Sequence, residues 1–417
     1  MSFNTTFVAI FTKTEKTTQF TVTWIVNGVS TTETYAEGAT PVFPNGTPTK
    51  PEDASYTYTF TGWDKEIVAA TEDTTYTAQF EAKQKLSSII TLSSRTLLLE
   101  ELVQVRYKFN INGSYTSDYL KNNAGILVWL ESDIAEGKVY EHGTESYAVV
   151  GLKQNGKIYQ VDANGVPAKK LGDKMYARGY IINAKGEYEY TEIIDFNPKT
   201  YAQAVMAQTA AAYTAYHPLI VAMMNYGAAA QVYFKYKTDD LMNAWLTADQ
   251  QKLAAYDASQ IEELETDTSK FTMTPTLTVT KVNRALELQD NIWPKWKFTL
   301  NSAEVANATE MKLVYWSEDA YKAATELTLE NATGMSDLKL NGSQYEAVVK
   351  GTAPKRNGRT YYACAYVKYA DGTYRISDVS LLSIHFYASN FVAQNSDVGA
   401  LCRAIVNYSY EAEKKFG

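Results

Sequence analysis

Residues able to do chemistry are sparse in this chain and do not converge. Its three histidines stand at 142, 217 and 385, and its two cysteines at 364 and 402. A zinc site needs several nitrogen or sulfur ligands brought together, and three scattered histidines leave little material for one. His142 falls in a loop, His217 directly before Pro218, and His385 near a strand–helix junction. Each reads as a surface or capping residue, and no Ser/His/Asp arrangement is suggested. Gly-x-Ser-x-Gly, the phosphate-binding Gly-x-x-x-x-Gly-Lys-Ser/Thr and a Gly-x-Gly-x-x-Gly following a strand are all missing. So is the Asp-x-Asp-x-Asp-Gly of a calcium loop. Glycosidases hold two carboxylates either side of a bond. Acidic residues are plentiful, but none recurs where a pair would. The chain reads as a non-enzyme with no cofactor and no metal.

Tyrosine is the remaining clue, at 32 residues against 15 Phe and 7 Trp. It combines an apolar ring with a wet hydroxyl, which suits half-exposed sheet positions and binding surfaces alike. On an alternating strand pair Tyr362, Tyr366 and Tyr374 share one face, and Tyr176 and Tyr180 belong to a related cluster earlier in the chain. These five residues are the candidate binding platform, for sugar rings or another protein. The structural alternative is cross-strand aromatic pairing, worth about 0.2–1 kcal/mol per pair. Cys364 and Cys402 are either two separate buried thiols or a disulfide peculiar to their part of the chain.

The elements that would position these residues come in repeats. Met175–Tyr188 lies on Tyr361–Tyr374, and Tyr201–Gln208 on Tyr387–Gln394, both at an offset of 186 (361 − 175). After a four-residue shortening, Asn225, Tyr226, Ala230 and Phe234 match Asn407, Tyr408, Ala412 and Phe416, at 182 (407 − 225). Fixed-offset similarity of this kind marks a duplicated unit. Its first two-thirds alternates in the strand manner: Val103–Phe109, Gly125–Leu130, Tyr147–Val150 and Met175–Ile182. Gly186 and Gly372 mark hairpin tips. Tyr201–Tyr216 is Ala-rich and helical in character, His217-Pro218 starts a new helix, and Leu219, Ala222, Tyr226, Ala230, Tyr233 and Phe234 make one apolar face. Between the copies, Thr247-Ala-Asp-Gln250 predicts a capping box. Ile261–Ser269 is acidic and polar, and reads as a flexible joint.

Lys plus Arg number 39 against 47 Asp plus Glu, a net charge of −8. A nucleic-acid binder carries a basic footprint, so that partner is excluded. No apolar run approaches the roughly 18 residues of a membrane span. The N-terminus lacks the basic start and long apolar stretch of a signal peptide. Instead Asn4–Phe11 can be laid on Asp73–Phe80 without a gap, with Thr5, Thr6, Ala9 and Phe11 matching Thr74, Thr75, Ala78 and Phe80. Residues 1–11 therefore read as the last strand of a preceding repeat, and the chain as a fragment of a longer exported protein.

Residues 12–82 form a first complete module. "TVTWIVNGV", "PTKPEDASYTYTFTGW" and "TTYTAQF" resemble the internalin-type B repeat of bacterial surface proteins. That resemblance implies a small β-grasp-like fold, export and display at the cell surface, with no catalytic residue. Trp24 and Trp63 read as core. Thr360–Val379 resembles the late hairpin of fibronectin type III and other immunoglobulin-like sandwiches. Met224–Phe234 with Tyr236–Asp239 is similar to a closing element of large surface proteins of anaerobic, gut-dwelling, Gram-positive bacteria. The expected architecture is mainly β and multidomain (α+β): a β-grasp-like repeat at 12–82, then two tandem sandwiches, each with a C-terminal helical hairpin. They span 91–240 and 273–417, with a linker carrying a short helix at 241–272. The expected role is that of a non-catalytic, adhesin-like segment of a secreted, cell-surface protein. Its ligand would be a host protein or glycan, and nothing in it inserts into a membrane. The alternatives are an immunoglobulin-binding surface protein, a carbohydrate-binding component of a glycan-degrading system, and a passive stalk.

Overall fold

The alternation of Phe20-Thr-Val-Thr-Trp-Ile-Val26 turns Val22 and Trp24 inward, where both are buried. The computed structural model describes residues 1–3, 6–53, 56–100, 102–133, 140–163, 165–252, 260–288 and 291–417. They divide into two compact units. One comprises Met1–Ile90 with Tyr180–Glu192, the other Thr91–Gly179 with Ile193–Gly417.

In the first unit lie β1 (Gln19–Val26), β2 (Val29–Ala36), β3 (Tyr56–Trp63) and β4 (Thr74–Gln84). Asn27 and Gly28 both take positive φ between β1 and β2, as the tight hairpin requires. The sheet order is β2-β1-β4-β3, and the central pair β1/β4 is parallel, a β-grasp-like arrangement. Its core is aromatic. The Trp24 ring lies 4.6 Å from Trp63, 5.0 Å from Tyr76 and 5.7 Å from Phe43. The sequence assignment of both tryptophans to the core therefore holds. Residues 1–3 and 6–11 form no strand, and Phe7, Ile10 and Phe11 are exposed. Asn4 and Thr5 lie outside the described residues.

The first sandwich copy begins with β5 (Ile90–Leu98), β6 (Gln104–Ile111), α1 (Ser117–Asn123), β7 (Ala124–Leu130) and β8 (Tyr147–Val150). It continues with β9 (Lys153–Asn155), β10 (Ile158–Ala163), β11 (Met175–Ile182), β12 (Tyr188–Tyr190) and β13 (Ile194–Phe196). Helices α2 (Pro198–Met206), α3 (Ala211–Thr214), α4 (His217–Phe234) and α5 (Ala248–Gln251) follow. The second copy opens with β14 (Val279–Glu287), β15 (Trp293–Leu300), α6 (Ser302–Val305), β16 (Ala308–Ser317) and α7 (Glu318–Ala323). Next come β17 (Gly334–Asp337), β18 (Lys339–Asn341), β19 (Gln344–Val348), β20 (Tyr361–Tyr369), β21 (Tyr374–Ile376) and β22 (Ser380–Leu382). Helices α8 (Ile384–Ser389) and α9 (Asp397–Phe416) close it.

The two copies share one topology. Sheets β5-β6-β10-β9 and β14-β15-β19-β18 correspond, as do β8-β7-β11-β12 and β17-β16-β20-β21, with β13 and β22 added on β11 and β20. With the strands lettered in chain order these are the A-B-E-D and C′-C-F-G sheets of an immunoglobulin-type sandwich. In the second copy Trp296, Phe298, Leu313, Ala363, Ala365 and Val367 fill the space between the sheets. The hairpin tips at Gly186 and Gly372 take positive φ, as expected from the sequence.

The helices correct the sequence reading in one respect. The apolar face assigned to α4 is not a single stripe: Leu219, Ile220 and every residue from Ala222 to Gln231 are buried. A helix apolar all round belongs in an interior, and three neighbours cover this one. The turn Ala168–Lys170 packs on one side and α9 on another. Residues 237–250 are fastened by polar side chains of α4. Gln231 donates to the carbonyls of Lys237 (3.3 Å) and Asp240 (3.1 Å) and accepts from the Met242 N–H (2.8 Å). Asn225 donates to the Gln250 carbonyl (2.7 Å). A Cβ on Gly227 would come within 3.0 Å of Met242 and 3.2 Å of the Ala168 carbonyl, so the small residue there permits the approach. Thr247 forms the expected capping box with Gln250.

Candidate functional site

The five tyrosines assigned to a platform do not make one surface. Register places Tyr362, Tyr366 and, through Lys368↔Tyr374, Tyr374 on one face of the β20/β21 pair, as the alternation requires. That face is covered at one end. Tyr362 is fully buried, its ring stacked 4.6 Å from Tyr321 at 16° and lying 5.5 Å from Phe271. Tyr366 and Tyr374 stack on each other at 5.5 Å, and Tyr374 is 53% exposed, so only these two meet solvent together. Tyr176 is half-buried opposite Asp195 on β13. Tyr180 is buried, 5.6 Å from Tyr188.

Besides Tyr321, the cover over Tyr362 is Phe271, in the linker 241–272 and two residues past the Ile261–Ser269 segment read in the sequence as a flexible joint. Residues 253–259 of that connection lie outside the described residues. From Ile261 onward it is laid along the second sandwich. Ile261 packs with Ala388, Val392, Cys402 and Val406. The Glu265 N–H donates to Thr360 Oγ1 at 2.9 Å, and the Lys270 ammonium to the Tyr321 carbonyl at 2.8 Å. Phe271 then inserts edge-on to Trp316 at 5.1 Å, and Thr276 donates to the Ile376 carbonyl at 2.9 Å. Acidic composition described the outer side of this strap; its single phenylalanine supplies the contact. Truncating that side chain, Phe271→Ala, is expected to cost about 2 kcal/mol, roughly half the full-burial value because Phe271 is half-buried. Urea denaturation followed by tryptophan fluorescence measures it, and an unchanged midpoint would mean the strap contributes nothing.

Beneath the strap lies a group of ionisable side chains. His385, expected as a surface or capping residue at a strand–helix junction, stands at the start of α8 but is 1% exposed. Its Nδ1 accepts the Glu262 N–H at 3.3 Å. Its Nε2 lies 2.8 Å from Ser409 Oγ, which donates to the Pro354 carbonyl at 2.8 Å. With Ser409's proton used there, the imidazole is neutral with its hydrogen on Nε2. Burial pushes its pKa down to about 4. A Ser–His pair of this kind does not activate the serine, because the hydroxyl proton points away from the imidazole into a carbonyl. Beside it the Glu262 carboxyl is pushed up to about 7, by burial and by its hydrogen bond to Glu413. Arg359 spans Glu413 (3.3 Å) and Glu318 (3.5 Å). Burial opposes ionisation of Glu318, but Lys322 and the Thr360 N–H outweigh it and hold the carboxyl below its ordinary value.

Both cysteines are free and buried. Cys364 lies under the strap and Cys402 between α8 and the strap, and burial pushes their pKa values up to about 12 and about 11. Thiols so far from ionisation are poor nucleophiles. The other histidines are peripheral: His142 is exposed, and His217 Nε2 lies 3.2 Å from the Val205 carbonyl. Among the described residues no group of three or more His, Cys, Asp or Glu side chains is placed to hold a metal, and no helix is long and apolar enough to cross a membrane.

The fold defines a class, a β-grasp-like sheet followed by two immunoglobulin-type sandwiches with appended helices. No protein-family model matches the chain, and no curated protein matches it. Among solved structures it is similar to the FN1–FN3 domains of chicken CNTN1, at 10% identity, over 76% of this chain and 75% of that one, with a TM-score of 0.17.

Proposed function

We propose that this chain is a non-catalytic, adhesin-like segment of a secreted bacterial cell-surface protein, whose sandwich modules present a binding surface to a host protein or glycan. The observation that carries the reading is the way the two copies are joined. Helix α4 of the first packs along α9 of the second, so the outer faces of both sandwiches are held at a fixed spacing. Fixed presentation suits display of a surface to a large partner. The sequence resemblance of residues 12–82 to a surface-protein repeat supports the same reading.

The test is adhesion. Beads coated with the 417-residue chain are applied to a glycan array and to immobilised host secretions, including immunoglobulin. Retention that soluble chain competes away, with the ligand recovered at unchanged mass, is the expected result. A glycan ligand would favour the carbohydrate-binding alternative and an immunoglobulin ligand the second. A ligand recovered cleaved would overturn the non-catalytic reading, and no retention on either surface would leave a stalk.

A further inference from the structure

We propose that the first sandwich copy carries a binding pocket for a small, uncharged, apolar ring compound. This site is separate from the adhesive reading above, and neither depends on the other. A cavity of about 310 Å3 opens between the end of β5, helices α2 and α3 and the start of α4, with Phe416 at the end of α9 closing one side. Its floor is aliphatic, with Leu99 and Ile220 buried and Leu97 and Val205 half-buried. Its rim is aromatic: Tyr213 is 46% exposed, and Tyr216 lies 6.3 Å from Phe416.

The duplication supplies an internal control. Between Gln208 and Asn225 the first copy is four residues longer than the second is between Gln394 and Asn407. The longer connection holds α3, which brings Ala212 and Tyr213 to the cavity wall. The second copy passes from Gln394 to α9 through Asn395 and Ser396 alone. The sandwich-plus-helices fold thus stands without this wall, which is an addition to one copy. Its product is a concave apolar surface at the lower end of the size range of small-molecule sites, about 300–1,000 Å3.

The chemistry of the lining selects the ligand. Three of its polar residues already have partners. Tyr201 and Thr96 share a hydrogen bond of 2.7 Å, and Glu100 is paired with Lys355 at 3.3 Å. Lys415 lies 4.0 Å over the Tyr216 ring. The charges at the mouth are of both signs, and an ion of either sign moving inward would give up its hydration against an aliphatic floor that offers no counter-charge. A neutral ring meets the aliphatic floor and the faces and edges of Tyr213, Tyr216 and Phe416, the offset-stacked and edge-to-face geometry that aromatic rings favour. One or two fused rings fill the space.

The neutral fluorophore N-phenyl-1-naphthylamine tests this on the full chain. Its emission should rise saturably at one site per chain, with a dissociation constant on the order of 10 μM. Indole and naphthalene should displace it, and 1-naphthoate and 1-naphthylmethylammonium should not. Ala212→Trp, at the exposed wall, should weaken binding tenfold or more. Tyr213→Ser removes only a half-exposed ring and keeps the test decisive if the first variant unfolds; it should weaken binding about fivefold. Leu340→Ser, an exposed apolar residue of the second copy, should change nothing. Unsaturable emission, displacement by the charged naphthalenes, or wild-type affinity in a folded Tyr213→Ser chain would overturn the proposal.

Discussion

Tyr408→Ala is expected to destabilise the joined sandwiches by about 3–5 kcal/mol, while Tyr408→Phe costs nothing or stabilises them slightly. Tyr408 is the counterpart of Tyr226 at the 182-residue offset, and their rings stack on each other at 5.6 Å and 13°. A residue that meets its own counterpart is the signature of a two-fold interface, here built inside one chain. The surroundings follow the same symmetry. The turn Ala168–Lys170 packs on α4 and its equivalent Pro354–Arg356 on α9. The Lys235–Asp397 pair at 2.7 Å lies outside this symmetry. Both rings are buried, and burial raises both phenol pKa values. Removing either ring leaves a cavity at the centre of the helix pair, hence the size of the alanine effect. The Tyr408 hydroxyl, in contrast, is buried with no hydrogen-bond partner. A buried polar group without a partner costs free energy, so deleting it alone is neutral or favourable. Thermal unfolding separates the outcomes. The alanine variant should show two transitions as the copies uncouple, the phenylalanine variant one. Tyr226→Ala should act alike, and the double variant should fall short of the sum by about 0.5–1.5 kcal/mol, the worth of an aromatic pair.

The duplication was legible because a fixed offset survives in sequence, and the sandwich strands because alternation records a covered face. Which element does the covering is not recorded. The periodicity along α4 identified Tyr226 as buried, but nothing in it pointed to Tyr408 as the partner; the matching of Asn225-Tyr226 to Asn407-Tyr408 was the available signal. The Tyr362, Tyr366 and Tyr374 face was placed correctly by register and misjudged in exposure, because its cover is Tyr321 of α7 and one phenylalanine in an acidic strap, both distant in the chain. His385 looked peripheral for a related reason. Its environment comes from Ser409, Pro354 and Glu262, which are distant in the chain. The pocket of the first copy left a trace only as a four-residue difference between repeats.

Stability of the second copy should pass through a broad optimum at mildly acidic pH, set by two buried groups that oppose each other, with Glu318, whose carboxyl is held below its ordinary value, adding to the acid-side loss. His385 takes its proton near 6.5 in the unfolded chain and, when folded, only near 4. Between those values the unfolded chain binds more protons, so stability falls as pH falls. Across that window the loss is about 3 kcal/mol. Glu262 runs the other way. Unfolded, it ionises near the ordinary glutamate value; folded, it holds its proton to about 7. Between those values the folded state binds more protons, so stability falls as pH rises. The groups facing Glu262 are Glu413, Arg359 and Glu318; His385 faces Ser409 Oγ and the Glu262 amide. Above pH 6.5 only Glu262 of the two titrates, and the unfolding midpoint should decline toward pH 8. From 6.5 to about 4.5 the two slopes largely cancel, and below that the losses from His385 and Glu318 add. Glu262→Gln should abolish the decline above 6.5, because a neutral amide has no proton to lose there. His385→Gln should lower stability at neutral pH by leaving hydrogen bonds imperfect, yet turn the plateau below 6.5 into a rise on acidification. Urea midpoints at half-unit pH intervals read these slopes directly, independently of each variant's absolute stability. A wild-type midpoint that climbs from pH 6.5 to 8 would contradict the buried, protonated state of Glu262. A His385→Gln curve parallel to the wild type from 4.5 to 6.5 would contradict the neutral imidazole, and with it the docking of the strap through His385 Nδ1.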